Sequence, residues 1–212
     1  VGRKTPASVT ALYTARMRRA VAIPTDVKPG DIIGFSGFYL HSALVNLGSL
    51  GIPFWSISHV GILAQAPDGR LLLWESSEDD SRCEITGLTG SGVKAHDLTS
   101  VVEEYRGSVW HYPLYRPLYS HENSRLTAYL LSVLDKPYDQ IGAVRSGGLV
   151  LSVIESFFRE QDLSSLFCSE TVAATYAYLG LFQTVNASRW SPNRLMRRLR
   201  RAEIVGAPRR IK

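Results

Sequence analysis

Three side chains far apart in the chain carry the chemistry that this sequence offers. Cys168 stands in SLFCSETVAATYAYLG, His59 in SISHVGIL and Glu75 in LLLWESS. A cysteine acts as a nucleophile through its thiolate, and a neighbouring imidazole both generates that thiolate and moves protons during acyl transfer. A carboxylate behind the ring holds it in one tautomer and one orientation. Each residue also has an ordinary reading. Cysteine is among the most often buried residue types, a histidine beside a strand is commonly a satisfied rim residue, and Glu75 could be the first exposed position after a buried run.

The elements that must position these groups can be read from the surrounding pattern. In SISHVGILAQAPDGRLLLWESS, the runs 60–64 and 71–74 flank a PDG turn and predict a β-hairpin. His59 enters its first strand and Glu75 leaves its second, so both fall at the same open end. Cys168 is expected at the N-terminus of a helix, with Ser164 or Ser165 as N-cap and Gly180 at the far end. Unpaired amides there favour an anion and can donate to a developing oxyanion.

Other elements follow. VKPGDIIGF is a Pro-Gly turn leading through Asp31 into a strand, and further strands are expected around CEIT and in SVWHYPLY. Residues 8–20 read as a basic helix. Residues 121–135 form an amphipathic helix, with Leu126, Leu130, Val133 and Leu134 on one face, halted by the proline of KPYD. GGLVLSVIESFFREQ reads as a buried helix, and SPNRLMRRLRR has a Ser-Pro start. Strands gathered early and helices gathered late give an α+β class, a small antiparallel sheet packed against helices. One domain over 1–212 is expected, with basic extensions at 1–26 and 189–212.

Composition narrows the function classes. At 212 residues, 45% hydrophobic and 20% charged, the chain suits one ordinary globular core. Cys83 and Cys168 make neither a disulfide framework nor a C-x-x-C pattern, and no cluster has metal-ligand spacing, so no metal or other cofactor is expected. Free thiols suit a reducing compartment, and no stretch reads as a signal peptide, so a cytoplasmic location is expected; a removed leader would leave no trace. Cys83 lies in the acidic stretch DDSRCEIT, whose charges would raise a thiol's pKa, and is read as non-catalytic. His96 and His111 have no carboxylate at a telling distance in sequence, and His121 begins a helix.

The net charge of +5 is crowded into arginine clusters near both ends, which fit an anionic membrane surface as partner. Without aromatic-basic interleaving or a nucleic-acid motif, nucleic acid is not expected as a partner. Residues 32–58 contain His41 but no Asp, Glu, Lys or Arg; their four glycines and Pro53 argue against a membrane span. This run is either a buried connection or the wall of a substrate site, with His41, Phe54 and Trp55 as the candidates for that wall.

In order along the chain, GDIIGF, SHVGIL, LLLWESS, LDKPYD and FCSETV resemble the permuted papain-like amidase family. These are the YiiX- and YaeF-like, circularly permuted relatives of NlpC-type cysteine peptidases, in which the histidine strand precedes the cysteine motif. The resemblance implies a circularly permuted papain-like fold with Cys168 as nucleophile, His59 as general base and Glu75 as its orienter. Tyr138 in KPYD matches a tyrosine that lies near the cysteine and assists the oxyanion in such relatives, and Ser169 is placed with it on the oxyanion or substrate side. Residues 140–165 form a longer insertion than the compact pattern has. The activity implied is cleavage of an amide bond in a peptide or peptide-like substrate through a covalent acyl-enzyme. A lipid-directed thioesterase, esterase or acyltransferase with the same triad, acting on an acylated small molecule, is the second reading; an inactive binding module is the third.

Overall fold

IIGF, VGILA and LLLW are unbroken apolar runs rather than alternating ones, as expected of strands covered on both faces. A computed structural model describes residues 23–37, 57–77, 80–135, 164–184, 187 and 190–212, and only the backbone of 164–167. In it these runs become strands β1 (Ile32–Gly37), β2 (His59–Gln65) and β3 (Leu71–Ser77). Strand β4 (Gly92–His96), helix α1 (Leu98–Glu104), β5 (Gly107–Tyr112), α2 (Ser120–Val133), α3 (Ser164–Tyr178), α4 (Pro192–Arg201) and the two-residue β6 (Arg209–Arg210) follow. The sheet runs β4-β3-β2-β1-β5-β6, with every neighbouring pair antiparallel. The fold is therefore α+β, a six-stranded antiparallel sheet with four helices among the described residues.

Side-chain alternation sorts the core into two layers. Ile32, Val60, Ile62, Leu72, Trp74, Val93 and Ala95 face a cluster completed by α2, α3 and α4. Ile33, Phe35, Leu63, Leu73 and Val109 face the other way, against Leu98 and Val102 of α1. Helix α1 is capped by Asp97, whose carboxylate accepts from the Ser100 amide at 2.8 Å. Helix α4 opens with Pro192 after Ser191, buries Leu195, Met196 and Leu199, and leaves Arg194, Arg197, Arg198, Arg200 and Arg201 exposed.

Two expectations are corrected. CEIT is not a strand: Cys83 accepts from the Gly87 amide and donates to the Leu88 carbonyl, both at 2.9 Å, so the chain turns back on itself there. The fourth strand is GVKAH instead, paired with β3 from Leu73↔His96 to Ser77↔Gly92. Helix α2 also ends at Val133, earlier than the proline requires, because Leu134 turns extended and bridges to Val93 while Asp135 adopts φ 54°. The helices expected over 8–20 and in GGLVLSVIESFFREQ, and the KPYD turn, lie outside the described residues.

Helix α3 is tied to the sheet by one buried polar contact. The Tyr176 hydroxyl donates to the Gly30 carbonyl at 2.6 Å, just ahead of β1. Replacing Tyr176 with Phe leaves that carbonyl unpaired and is expected to lower stability by about 1–3 kcal/mol, read as a fall in the urea midpoint with an unchanged slope.

Candidate active site

His59 begins β2, and its Nε2 donates to Glu75 Oε2 on β3 at 2.6 Å. The contact depends on register. Leu63 pairs with Leu73, which brings Gly61 beside Glu75 and puts His59 one step further toward the open end. A β-carbon at Gly61 would stand 2.6 Å from Leu73 Cδ1, 3.0 Å from the Trp74 carbonyl and 3.2 Å from Glu75 Cβ. Glycine at 61 thus clears the space through which the carboxylate reaches the ring. The hairpin expectation placed these two residues together, and the fold brings them into contact.

The third residue arrives from the other layer. Cys168 is 0% exposed and belongs to the cluster between sheet and helices, whereas the His59 ring packs at 5.5 Å, tilted, against Phe35 of the opposite cluster. Sulfur and imidazole meet at the end of β2, where His59 is hydrogen-bonded to Cys168. Since Nε2 is engaged by Glu75, this bond falls to Nδ1. Cys168, His59 and Glu75 therefore form one continuous group.

Helix α3 starts at Ser164, so Cys168 sits a full turn inside it rather than at its tip. Neither Ser164 nor Ser165 precedes the helix as a cap. The free amides belong to the turn ahead of Cys168, and the helix dipole acts on the sulfur less than the sequence suggested.

Electrostatics bind the group together. Burial opposes the His59 imidazolium even though a quarter of the side chain meets solvent. The charge on Cys168, the hydrogen bond to its sulfur and the Glu75 carboxylate outweigh that burial, so His59 keeps its proton well above the ordinary imidazole range. For Glu75, burial favours the neutral acid, but hydrogen bonds and charge from His59 and His96 bring its pKa down from 4.5 to about 2.

His96 is a partner of Glu75 that the sequence reading missed. Its Nδ1 donates to Glu75 Oε1 at 2.9 Å, so the one carboxylate serves two imidazoles. The signal was the alternation Val93, Lys94, Ala95, His96, a strand pattern that aligns Lys94 opposite Glu75. His111 also has a carboxylate after all: Nε2 donates to Asp31 Oδ2 at 2.7 Å. Its Nδ1 receives Arg209 at 3.0 Å, and the ring is 0% exposed, which leaves this pair a structural role. The acidic surroundings of Cys83 do not raise its pKa. Burial does so, but amides of Ala95, Thr86 and Ile85 and the Thr86 hydroxyl prevail and lower it, while Glu84 turns out to Arg70.

Ser169 is also fully buried, and its hydroxyl donates to the Trp190 carbonyl. That side chain joins α3 to the segment before α4 rather than facing a substrate. Tyr138, His41, Phe54 and Trp55 lie outside the described residues, as does most of the 140–165 insertion. Among the described residues no group of three or more His, Cys, Asp or Glu side chains is arranged to hold a metal ion, and no helix is long and apolar enough to cross a membrane.

The chain matches no protein-family model and no curated protein. Among solved structures it is similar to the metalloprotein YiiX from Escherichia coli O157:H7, at 20% identity and a TM-score of 0.45, over 72% of this chain and 67% of that one.

Glu75 makes a pH prediction. Its folded pKa of about 2 lies below the ordinary 4.5, so its contribution is complete above pH 4.5 and is lost as pH falls toward 2. The native protein is expected to lose about 3 kcal/mol across that window from this group, and Glu75→Gln to flatten this part of the profile. Urea midpoints at pH 2.5, 4 and 6 measure both.

Proposed function

We propose that the protein is a cysteine hydrolase of the permuted papain-like type, cleaving an amide bond in a peptide or peptide-like substrate. The observation that carries this reading is the His59 imidazole held between the Glu75 carboxylate and the Cys168 sulfur. The chain order also supports it: the histidine strand β2 precedes the cysteine helix α3.

In this reading the thiolate of Cys168 attacks the carbonyl carbon, and the electron pair of the C=O bond moves to oxygen. The tetrahedral intermediate collapses as the C–N bond breaks and the His59 imidazolium gives its proton to the departing nitrogen. A thioester on Sγ remains. His59, now neutral, takes a proton from water as it attacks the thioester, and the carboxylic acid leaves with Cys168 returned to its thiolate. Glu75 holds the ring on its Nε2 side throughout and stabilises the imidazolium without accepting its proton.

His111 shows what the Cys168 group has that a merely structural histidine lacks. Both His111 nitrogens are occupied, by Asp31 and Arg209, and neither faces a nucleophile. His59 has one nitrogen on a carboxylate and the other on sulfur.

Intact-mass analysis after incubation with electrophilic probes tests the reading. Probes with peptide-like groups are expected to add once per chain, at Cys168 by peptide mapping, and Cys168→Ala is expected to abolish the adduct. Preferential labelling by fatty-acyl probes would move the substrate to the lipid class, and absence of any Cys168 adduct would overturn the hydrolase. A second measurement needs no substrate. Because the charge on Cys168 helps to hold the His59 proton, Cys168→Ala is expected to lower the His59 pKa, followed by NMR titration of the ring.

A further inference from the structure

Lys94 reveals the polarity of the hydrogen bonds behind the site. It is buried on β4 directly across from Glu75, and its Nζ donates to the Ser81 carbonyl at 3.0 Å and to Ser81 Oγ at 3.3 Å. An ammonium can only donate. Ser81 Oγ therefore accepts from Lys94 and lies 3.1 Å from His96 Nε2. On the other side of the ring, Nδ1 lies 2.9 Å from Glu75 Oε1. A carboxylate ionised at neutral pH accepts only, so that nitrogen carries the hydrogen. The carboxylate thus fixes the hydrogen on Nδ1 of His96.

We propose that His96 is a positioning residue for the Cys168–His59–Glu75 group. Its Nδ1–H clamps one oxygen of Glu75 so that the other stays aimed at His59, and Ser81, held in turn by Lys94, lies against the far nitrogen. The geometry requires such a clamp. A carboxylate bound on one oxygen alone can rotate about its terminal bond, whereas donors from β2 and β4 on separate oxygens fix its plane. His96 does not touch the sulfur-facing side of His59; it acts through Glu75, and its side chain is 9% exposed against 25% for His59. This inference rests on the hydrolase reading for its consequence in catalysis, but its hydrogen-bond polarity can be tested without it.

The test combines histidine nitrogen-15 NMR with alkylation of Cys168 by iodoacetamide, mapped by mass. In the wild-type protein His96 is expected to carry its proton on Nδ1. His96→Leu is expected to lower the His59 pKa, slow Cys168 alkylation by about tenfold or more and displace its pH profile. His96→Asn, whose amide nitrogen can stand where Nδ1 stood, is expected to return the rate to within about threefold of wild type, whereas His96→Gln, which offers its donor at the Nε2 position, is not. The Asn and Gln pair carries the comparison should the Leu variant fail to fold. A wild-type His96 with no proton on Nδ1, or a folded His96→Leu protein with unchanged His59 titration and alkylation profile, would overturn the proposal. A wild-type Cys168 that does not alkylate would defeat the hydrolase reading instead, leaving the tautomer and the His59 titration to decide the role of His96.

Discussion

A carboxylate taken out of water has to be paired, and the arrangement of this protein's sheet follows from how Glu75 is paired. Its two oxygens take one imidazole N–H each, from His59 on β2 and His96 on β4. Three adjacent strands therefore have to keep their register, because a slip of one residue would send these side chains to the opposite face. Gly61 takes part by having no side chain where the Glu75 stem crosses toward His59. Asp31 solves the same problem with different means. His111 and the amides of Lys28 and Leu114 satisfy it, and Arg209 closes the far side of the ring. One buried carboxylate is sealed on every side. The other ends in an imidazole that still faces a sulfur.

That sulfur and that imidazole belong to different layers. Cys168 lies in the core shared by the sheet with α2, α3 and α4, while His59 leans on Phe35 of the layer beneath α1. Their contact at the end of β2 is thus a measure of how α3 docks on the sheet as a whole. Tyr176, two turns along the same helix, grips the Gly30 carbonyl, and Val172 and Ala173 fill the space between. Packing of the helix and geometry of the reactive group cannot vary independently.

Much of this was legible in the sequence where a local rule sufficed. The PDG turn predicted the hairpin, and the hairpin alone brings His59 to Glu75. The Ser-Pro start announced α4, and the leucine spacing announced α2. What escaped notice depends on partners distant in sequence. GVKAH, the edge strand, has no apolar run to mark it, and Lys94 and His96 find partners there in Ser81 and Glu75. His111 lies eighty residues from its carboxylate. The acidic letters beside Cys83 misled because a side chain's charge acts where it points, and Glu84 points outward to Arg70 while backbone amides point in. The start of α3 was placed one or two residues late, since both candidate cap serines fall inside the helix.

The complete burial of Cys168 has a consequence for the lifetime of the molecule. Peroxides convert cysteine thiolates to sulfenic acid and beyond, and susceptibility follows exposure as well as charge. With none of Cys168 open to water, dissolved oxidants meet closed packing around the sulfur. Packing thereby shields this cysteine from oxidation in the folded protein.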